Sequence, residues 1–244
     1  MGCAIRMGQP DSSDSIGSAD QIAAEIAARI RALSSFNTVS VRAIRREFSK
    51  GLTKAPSNTI LKVAQRLLDD RSSDFRFVAY ELIRHHRVAL ASLREKELER
   101  FGRGLDSWGT VDMFACYLAG PAWRENQISN TVIHRWAGSK DRWWRRAALV
   151  STVPLNSKAQ GGTGDVPRTL EICRLLVTDR DDMVVKAMSW ALRELSKRDP
   201  KAVKEFLGDY QSDLAARVTR EVGNKLSTGL KNPRERDAAK SKVR

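Results

Sequence analysis

The stretch D-M-V-V-K-A-M-S-W-A-L-R-E-L-S-K, residues 182–197, carries the clearest periodic pattern in the sequence. Its apolar side chains recur at intervals of three and four residues, at Val184, Val185, Met188, Leu192 and Leu195. This spacing puts them on one face of an α-helix, where they can be buried together. The same period continues through most of the chain from Ser18 onward, without a convincing period-two alternation. The sequence therefore predicts an all-α protein.

The other predicted helices lie on both sides of this stretch. Five of them lie before Gly102, the fifth from Leu90 to Phe101. The rest are expected at 107–119, 125–137, 141–153, 166–177, 200–208 and 212–228. Prolines mark the edges of four of them, where a missing amide hydrogen costs little: Pro121, Pro154, Pro167 and Pro200. The glycine-containing stretch Asn156–Asp165 is predicted to be a flexible loop, and no strand precedes it as a phosphate-binding loop requires.

Helices of this length form either a compact bundle or a stack of helix pairs. Two helices every 35–45 residues or so are typical of HEAT and armadillo repeats. We expect an α-α superhelix (solenoid) of HEAT-like helical repeats, with a concave basic groove. The expected organisation is a flexible leader at 1–17, one repeat domain at 18–230 and a basic tail at 231–244.

Charge is the most informative feature of the composition. The chain has 244 residues, with 43 Lys and Arg against 29 Asp and Glu, a formal net charge of +14. Such an excess indicates a polyanionic partner, most often nucleic acid, although a merely solubilising surface is the alternative. No apolar run reaches the length of a membrane-spanning helix, and Arg6 does not fit an acylation motif after Gly2.

Cysteine and histidine are too sparse and too scattered for a metal site. The three cysteines, Cys3, Cys116 and Cys173, show no ligand spacing, which argues against zinc and disulfides and fits a reducing cytosol. The three histidines are interpreted as structural: His85, His86 and His134. We therefore expect a cytoplasmic protein without metal or cofactor.

The first group of residues that suggests chemistry is S-W-G-T-V-D at 107–112. Ser107 can cap a helix, which leaves Trp108 and Asp112 four residues apart on one face. Phe114 and its neighbours supply the opposite, apolar face, so the core does not need Trp108. An indole beside a carboxylate away from the core indicates a site, and the alternative is a rim tryptophan with Asp112 in a salt bridge.

The second group is an arginine cluster at the start of the helix expected at 141–153. Arg142, Arg145 and Arg146 fall on one face, and they repel one another unless anions lie opposite. Phosphate oxygens or a carboxylate would satisfy their planar guanidinium groups. A solvated charged face is the alternative.

The third group follows the buried face of the 182–197 helix as a second stripe: Lys186, Trp190, Arg193 and Lys197. Cations around an indole suit a nucleic-acid surface, but packing of Trp190 between repeats explains its position equally well. The tail from Lys225 to Arg244 adds seven basic residues, suited to non-specific phosphate attraction or to solvation alone.

Taken in order, these segments resemble the DNA alkylation repair (AlkD-like) glycosylase family. The matching motifs are S-W-x-x-V-D at 107–112, W-W-R-R-A-A-L at 143–149, K-A-M-S-W-A-L-R-E at 186–194 and R-x-x-x-N-K-L-x-x-G-L-K-N-P at 220–233. The resemblance implies a solenoid that grips duplex DNA and excises cationic alkylpurines such as 3-methyladenine and 7-methylguanine. It also implies a catalytic Asp112, lesion- and sugar-contacting Trp108 and Trp190, and an Arg146 that clamps a phosphate or keeps Asp112 ionised.

These expectations describe a monomeric, metal-free and cofactor-free DNA glycosylase. The phosphate-binding residues are predicted to be Arg142, Arg145, Arg146, Lys186, Arg193 and Lys197. Two rival hypotheses remain, a non-catalytic scaffold for branched or damaged DNA and a repeat adaptor that binds an acidic protein. Some relatives with the same fold bind DNA without excising bases, so the fold alone does not imply activity.

Overall fold

The computed structural model of the protein describes residues 18–35, 37–70 and 73–233. The leader predicted at 1–17 and the tail residues 234–244 lie outside this part of the chain. Within it every regular element is helical and there is no strand, which confirms the all-α prediction. No helix among the described residues is long and apolar enough to span a membrane.

Fifteen α-helices are described, together with one π-helical turn and one 3₁₀ turn. Their bounds are α1 Ala19–Arg31, α2 Thr38–Gly51, α3 Ser57–Asp69, α4 Ser73–Arg84, α5 Arg87–Ala91, α6 Glu95–Phe101, α7 Trp108–Phe114, the π-helical turn Ala115–Ala119, α8 Gly120–Arg124, α9 Asn130–Ala137, α10 Arg142–Ser151, α11 Val153–Asn156, the 3₁₀ turn Lys158–Gln160, α12 Val166–Leu175, α13 Asp182–Leu195, α14 Pro200–Asp209 and α15 Ala216–Thr228.

Local sequence explains where many of these helices begin. Ser18 caps α1 in a reciprocal capping box with Gln21, and Ser107, as predicted, accepts a hydrogen bond from the amide of Thr110 at the start of α7. The four predicted edge prolines all lie in the first turn of a helix, in α8, α11, α12 and α14.

The helix predicted from Leu90 to Phe101 is wrong, because the structure has the two short helices α5 and α6 there. Ser92 donates its hydroxyl to the carbonyl of Ala89, and Gln127 donates its amide to the carbonyls of Leu90 and Leu93. These side chains take over the carbonyls that a continuous helix would use, so the chain can turn.

Two other boundaries differ from the prediction. Helix α9 begins at Asn130 rather than near 125, after a turn in which Asn126 has a φ of 56°. The stretch predicted as a flexible loop at Asn156–Asp165 contains the 3₁₀ turn and is held by side chains from outside it. Arg198 donates to the carbonyls of Asn156 and Gly162, and Arg124 donates to that of Gln160.

The helices stack as pairs, with the second members of the pairs in contact along the whole molecule. Each helix in the series α2, α4, α7, α10, α13 and α15 packs on the next, and we call this series the second-helix row. The first members lie beside them: α1 packs on α3, and α9 packs on α12. Arg135 of α9 also pairs with Glu95 and Glu99 of α6. A single apolar core extends between the two rows from Ile22 to Val222, as in an α-α superhelix.

Candidate active site

The candidate site begins on the first turn of α7. Trp108 is 62% exposed, whereas Val111 and Phe114 on the other side of this helix are fully buried. The core therefore does not use Trp108, as the sequence predicted. Asp112 lies one helical turn after Trp108, on the same face.

Asp112 is held by Arg146 from α10, the next helix in the second-helix row. Nε of Arg146 donates to Oδ1 of Asp112 at 2.9 Å, and Nη2 donates to Oδ2 at 2.8 Å. The remaining terminal nitrogen, Nη1, donates to the carbonyl of Met183 on α13 at 2.6 Å. One guanidinium group thus joins three consecutive helices of the row, and its planar shape fixes the orientation of the carboxylate.

Burial separates the roles of the two partners. The side chain of Arg146 is 6% exposed and that of Asp112 is 18% exposed, so the carboxylate is the partner that reaches the surface. Burial raises the pKa of Asp112, and the hydrogen bonds and positive charge of Arg146 oppose that rise. The arrangement presents an oriented, partly desolvated carboxylate, a group suited to stabilising a developing positive charge or orienting a water molecule.

An aromatic cluster beneath the site fixes α7 against α10. The ring of Phe114 meets Trp144 edge-on at a centroid distance of 5.9 Å, and Trp144 packs against Trp136 at 4.9 Å. Gly102 makes room for this cluster, because a Cβ at that position would lie 2.4 Å from Cη2 of Trp144. Trp144 therefore belongs to the packing that positions Asp112.

The other two arginines of α10 also face carboxylates. Arg145 donates from Nε to Asp179 at 2.7 Å, and from Nη1 to the carbonyls of Ser139 and Lys140. Arg142 lies 3.6 Å from Asp181 and keeps about half of its side chain exposed. Of the two kinds of anion that the cluster predicted, carboxylates are the ones that face it inside the protein.

Trp190 lies on α13, the next helix of the second-helix row. Trp190 follows Met183 by seven residues, two helical turns, so both lie on one face of the helix. Its indole is half-buried and packs against the core, in contrast to the exposed indole of Trp108. Asp112 and Arg146 are thus bonded directly, Trp108 lies one turn before Asp112 on α7, and Trp190 lies two turns along α13 from the carbonyl that Arg146 binds.

The cations of α13 differ in how firmly they are held. Lys186 pairs with Asp182, and Lys197, just beyond the end of α13, pairs with Glu194, each at 2.6 Å and with about half of the lysine side chain exposed. Arg193 is more buried, which lowers its pKa, and it donates to Ser189 beside the buried Glu221.

One histidine has a structural role that agrees with its interpretation from the sequence, and two cysteines are buried. His86 caps α5 by accepting from the amide of Ala89, and Cys116 and Cys173 are buried thiols. No group of three potential metal ligands occurs in the part of the chain that the structure describes.

Sequence reasoning missed a cationic group next to this site, made of Arg42, Arg45 and Arg84 around Glu81 and Tyr117. These residues come from α2, α4 and the π-helical turn, which are far apart in sequence. The only local signal was a charged residue, Glu81, between apolar core positions of α4.

The sequence pattern of one known family, described as DNA alkylation repair enzyme, matches residues 18–226. The chain belongs to this DNA alkylation repair family. A solved structure of a predicted DNA alkylation repair enzyme from Enterococcus faecalis is similar, with a TM-score of 0.64 and 17% sequence identity. The similarity covers 84% of this chain and 94% of that one, and at this identity it supports the fold alone. No curated protein matches the chain.

Membership of the DNA alkylation repair family agrees with the resemblance inferred from the sequence motifs. The family match spans α1 to most of α15 and so includes the whole second-helix row. It makes DNA the expected substrate.

Proposed function

We propose that the protein is a DNA glycosylase that removes positively charged alkylpurines, such as 3-methyladenine and 7-methylguanine, from duplex DNA. The observation that carries the proposal is the carboxylate of Asp112, fixed by two hydrogen bonds from Arg146 and one helical turn from the exposed indole of Trp108. A fixed carboxylate beside an exposed aromatic face suits a cationic substrate.

The chemistry requires little acid catalysis. A purine that already carries a positive charge leaves as a neutral base when it takes the electron pair of its bond to C1′. The sugar then becomes oxocarbenium-like, and a water molecule adds a hydroxyl group to C1′ and releases a proton. In this scheme Asp112 stabilises the cationic sugar and orients the water, and Arg146 holds the carboxylate ionised and in place.

The two tryptophans have unequal tasks in this proposal. The exposed Trp108 can lay its ring against the cationic base or its deoxyribose. The half-buried Trp190 offers only part of its indole, because the rest packs against the core. Packing and ligand contact are compatible for Trp190, so the two alternatives left by the sequence are not exclusive.

The proposed phosphate contacts divide into exposed and embedded cations. Arg142, Lys186 and Lys197 each have one carboxylate partner and a half-exposed side chain, so a DNA phosphate can compete for them. Arg145 is held by Asp179 and two carbonyls, and Arg193 is half-buried and donates to Ser189, so we propose that they contribute mainly to the positive field of the surface. We further propose that the protein acts as a cytoplasmic monomer without metal or cofactor.

The deciding experiment is release of 7-methylguanine from a methylated duplex, measured by chromatography of the freed base. We expect release by the wild-type protein, none from unmethylated DNA, and a loss of at least about tenfold in Asp112→Asn, the scale of losing one electrostatic group. Salt-dependent duplex binding without base release would instead favour the non-catalytic DNA scaffold. Absence of any duplex affinity would favour an adaptor for acidic proteins.

A further inference from the structure

A second group of cations lies on the second-helix row beside the candidate site. Arg42 and Arg45 of α2 both donate to the carboxylate of Glu81 on α4, from Nε at 2.9 Å and 3.1 Å. The side chain of Glu81 is 2% exposed, and these two bonds occupy both of its oxygens. Glu81 therefore offsets only one of the two positive charges of its partners, and a third cation follows it on α4.

That third cation is Arg84, one turn after Glu81 on α4. Its guanidinium carbon lies 4.1 Å from the centre of the Tyr117 ring. Among the described residues no carboxylate lies within 4.0 Å of Arg84, so aromatic stacking is the contact that holds it. The pKa of Arg42 is raised first by its hydrogen bond to Glu81 and to a lesser extent by Tyr117, so Arg42 also lies near the Tyr117 side chain.

The π-helical turn places Tyr117 in this position. The amide of Gly120 donates to the carbonyl of Ala115, five residues earlier, and Pro121 follows without an amide hydrogen. Gly120 allows the turn to pack closely, because a Cβ there would lie 2.6 Å from Cγ of Pro154. A π-turn shifts the side chains that follow it relative to an α-helix, and such turns often occur at functional sites.

The cations around Glu81 and the candidate site both lie near Cys116. This buried thiol has a pKa raised to about 12, first by burial and then by the charge of Asp112, while Arg84 and Arg146 both act to lower it. Arg84 and the Asp112–Arg146 pair therefore lie within electrostatic reach of one side chain. His85, next in the chain, is exposed overall. The partial burial of its ring and the charges of Arg45, Arg84 and Arg42 lower the pKa of His85, and Glu81 opposes this effect. The surface here is positive.

We propose that Arg84, stacked on Tyr117 and supported by Arg42, binds a backbone phosphate of the DNA on the α4 side of Asp112. Stacking holds the flat face of the guanidinium and leaves its N–H edge available, which is the edge that matches phosphate oxygens. Because the side chain is already ordered, binding costs less conformational entropy than it would for a free arginine. The inference rests on the proposed function. It gives the same DNA a contact with α4, the helix that precedes α7 in the second-helix row.

The test is salt-dependent binding of an unmodified duplex by Arg84→Gln, with Arg100→Gln as the matched control. Arg100 lies over the ring of Phe101 at 5.1 Å on α6, so its substitution removes the same charge and a similar stacking contact outside the second-helix row. We expect Arg84→Gln to weaken binding roughly tenfold, the scale of one charge-assisted hydrogen bond. The slope of log K against log salt should become shallower by about 0.9, the value for one phosphate contact. Arg100→Gln should keep the wild-type slope.

Two further variants separate the stack from the charge. Arg84→Lys keeps the charge and should keep the slope while losing part of the affinity. Tyr117→Leu leaves the formal charge unchanged and should also weaken binding, because Arg84 loses the ring that orders it. Thermal melting of each variant checks that the fold is retained, and a folded Arg84→Gln with the wild-type slope overturns the inference.

The results for this inference and for the proposed function are distinguishable. A wild-type protein that releases methylated bases, with equal slopes for wild type and Arg84→Gln, overturns the phosphate contact alone. Selective weakening by Arg84→Gln without any base release by the wild type supports the contact and overturns the glycosylase proposal. Equal losses in Arg84→Gln and Arg100→Gln would mean that only net charge matters, and that result contradicts the phosphate contact.

Discussion

Two neighbouring arginines of α10 form ion pairs that differ in how the carboxylate is bound. Arg145 pairs with Asp179, and both partners have additional main-chain bonds: Arg145 donates to two carbonyls before α10, and Asp179 accepts from the amide of Asp181. Arg146 pairs with Asp112 through both carboxylate oxygens, and Arg146 is the one hydrogen-bond donor described for that carboxylate. The first pair links the turn before α10 to the turn before α13. The second pair orients a carboxylate that is partly exposed.

The difference teaches how a site can be told from a structural ion pair when the residue types are the same. A structural carboxylate is saturated by local main-chain donors, which stabilises the turn that contains it. The Asp112 carboxylate is oriented by a single rigid partner and keeps part of its surface open, with its pKa raised by burial. A carboxylate that is partly buried without a full set of hydrogen bonds destabilises the fold. A functional role explains why Asp112 is kept in this position.

The largest expected effect distinguishes the two carboxylates by activity. Asp112→Asn should lower release of 7-methylguanine at least about tenfold, because an amide cannot stabilise a cationic sugar as a carboxylate does. Asp179→Asn should retain most of the release, since Asp179 acts within the turn before α13. Single-turnover release under identical conditions measures both. If Asp179→Asn lost as much as Asp112→Asn, both pairs would be structural and the catalytic assignment would be wrong.

The next effect concerns the pH dependence of base release. Burial raises the pKa of Asp112 and Arg146 lowers it, so Arg146→Gln should raise that pKa further. The ionised fraction of Asp112 then falls at any given acidic pH, and the acid limb of the rate profile should move to higher pH. Arg145→Gln should leave the acid limb in place, because Arg145 does not contact Asp112. An acid limb at the same pH in Arg146→Gln and wild type would show that another group controls it.

The sequence predicted the fold well because the apolar period of an amphipathic helix is a local property. The repeat of apolar residues placed α10, α13 and the edge prolines correctly, and the cap at Ser107 was visible as well. The break between α5 and α6 was missed because Gln127, more than 30 residues away, binds the carbonyls at the break. Such a partner is determined by tertiary packing.

The candidate site was predictable in part for the same reason. Trp108 and Asp112 share a helix, so their common face followed from their spacing. The partner of Asp112 was inferred from family resemblance, since 34 residues separate it from Arg146. The Arg84–Tyr117 stack was not predicted, because a π-helical turn changes the register that helical spacing assumes.

A third prediction compares what each carboxylate contributes to stability. Asp179→Ala should lower the free energy of unfolding by about 2 kcal/mol, because Arg145 and the amide of Asp181 lose an acceptor. Asp112→Asn should cost less than that at neutral pH, because the asparagine removes the cost of burying the Asp112 charge, although it leaves the charge of Arg146 without a carboxylate. Denaturant unfolding of both variants measures the contrast.

The pH dependence of that contrast follows from the sign of the shift. With its pKa raised above the ordinary 3.8, Asp112 binds its proton more tightly in the folded state. Its ionisation therefore destabilises the fold as pH rises from the ordinary pKa through the raised one. The free energy of unfolding of Asp112→Asn relative to wild type should therefore fall as pH falls through that window. A relative free energy that rose towards acid pH would mean that the folded state lowers the pKa of Asp112.

The smallest expected effect is on stability and concerns the two tryptophans, of which one is exposed and the other packs against the core. Trp108 is 62% exposed, so Trp108→Leu should change the free energy of unfolding by no more than about 0.5 kcal/mol, as most surface substitutions do. Trp190 packs against the core, and Trp190→Leu should cost about 1–3 kcal/mol. If Trp108→Leu also lowers base release while its melting temperature stays at the wild-type value, the indole serves the substrate and not the fold. A clear loss of stability in Trp108→Leu would instead make it a packing residue of α7, and the exposed aromatic half of the site would have to be reassigned.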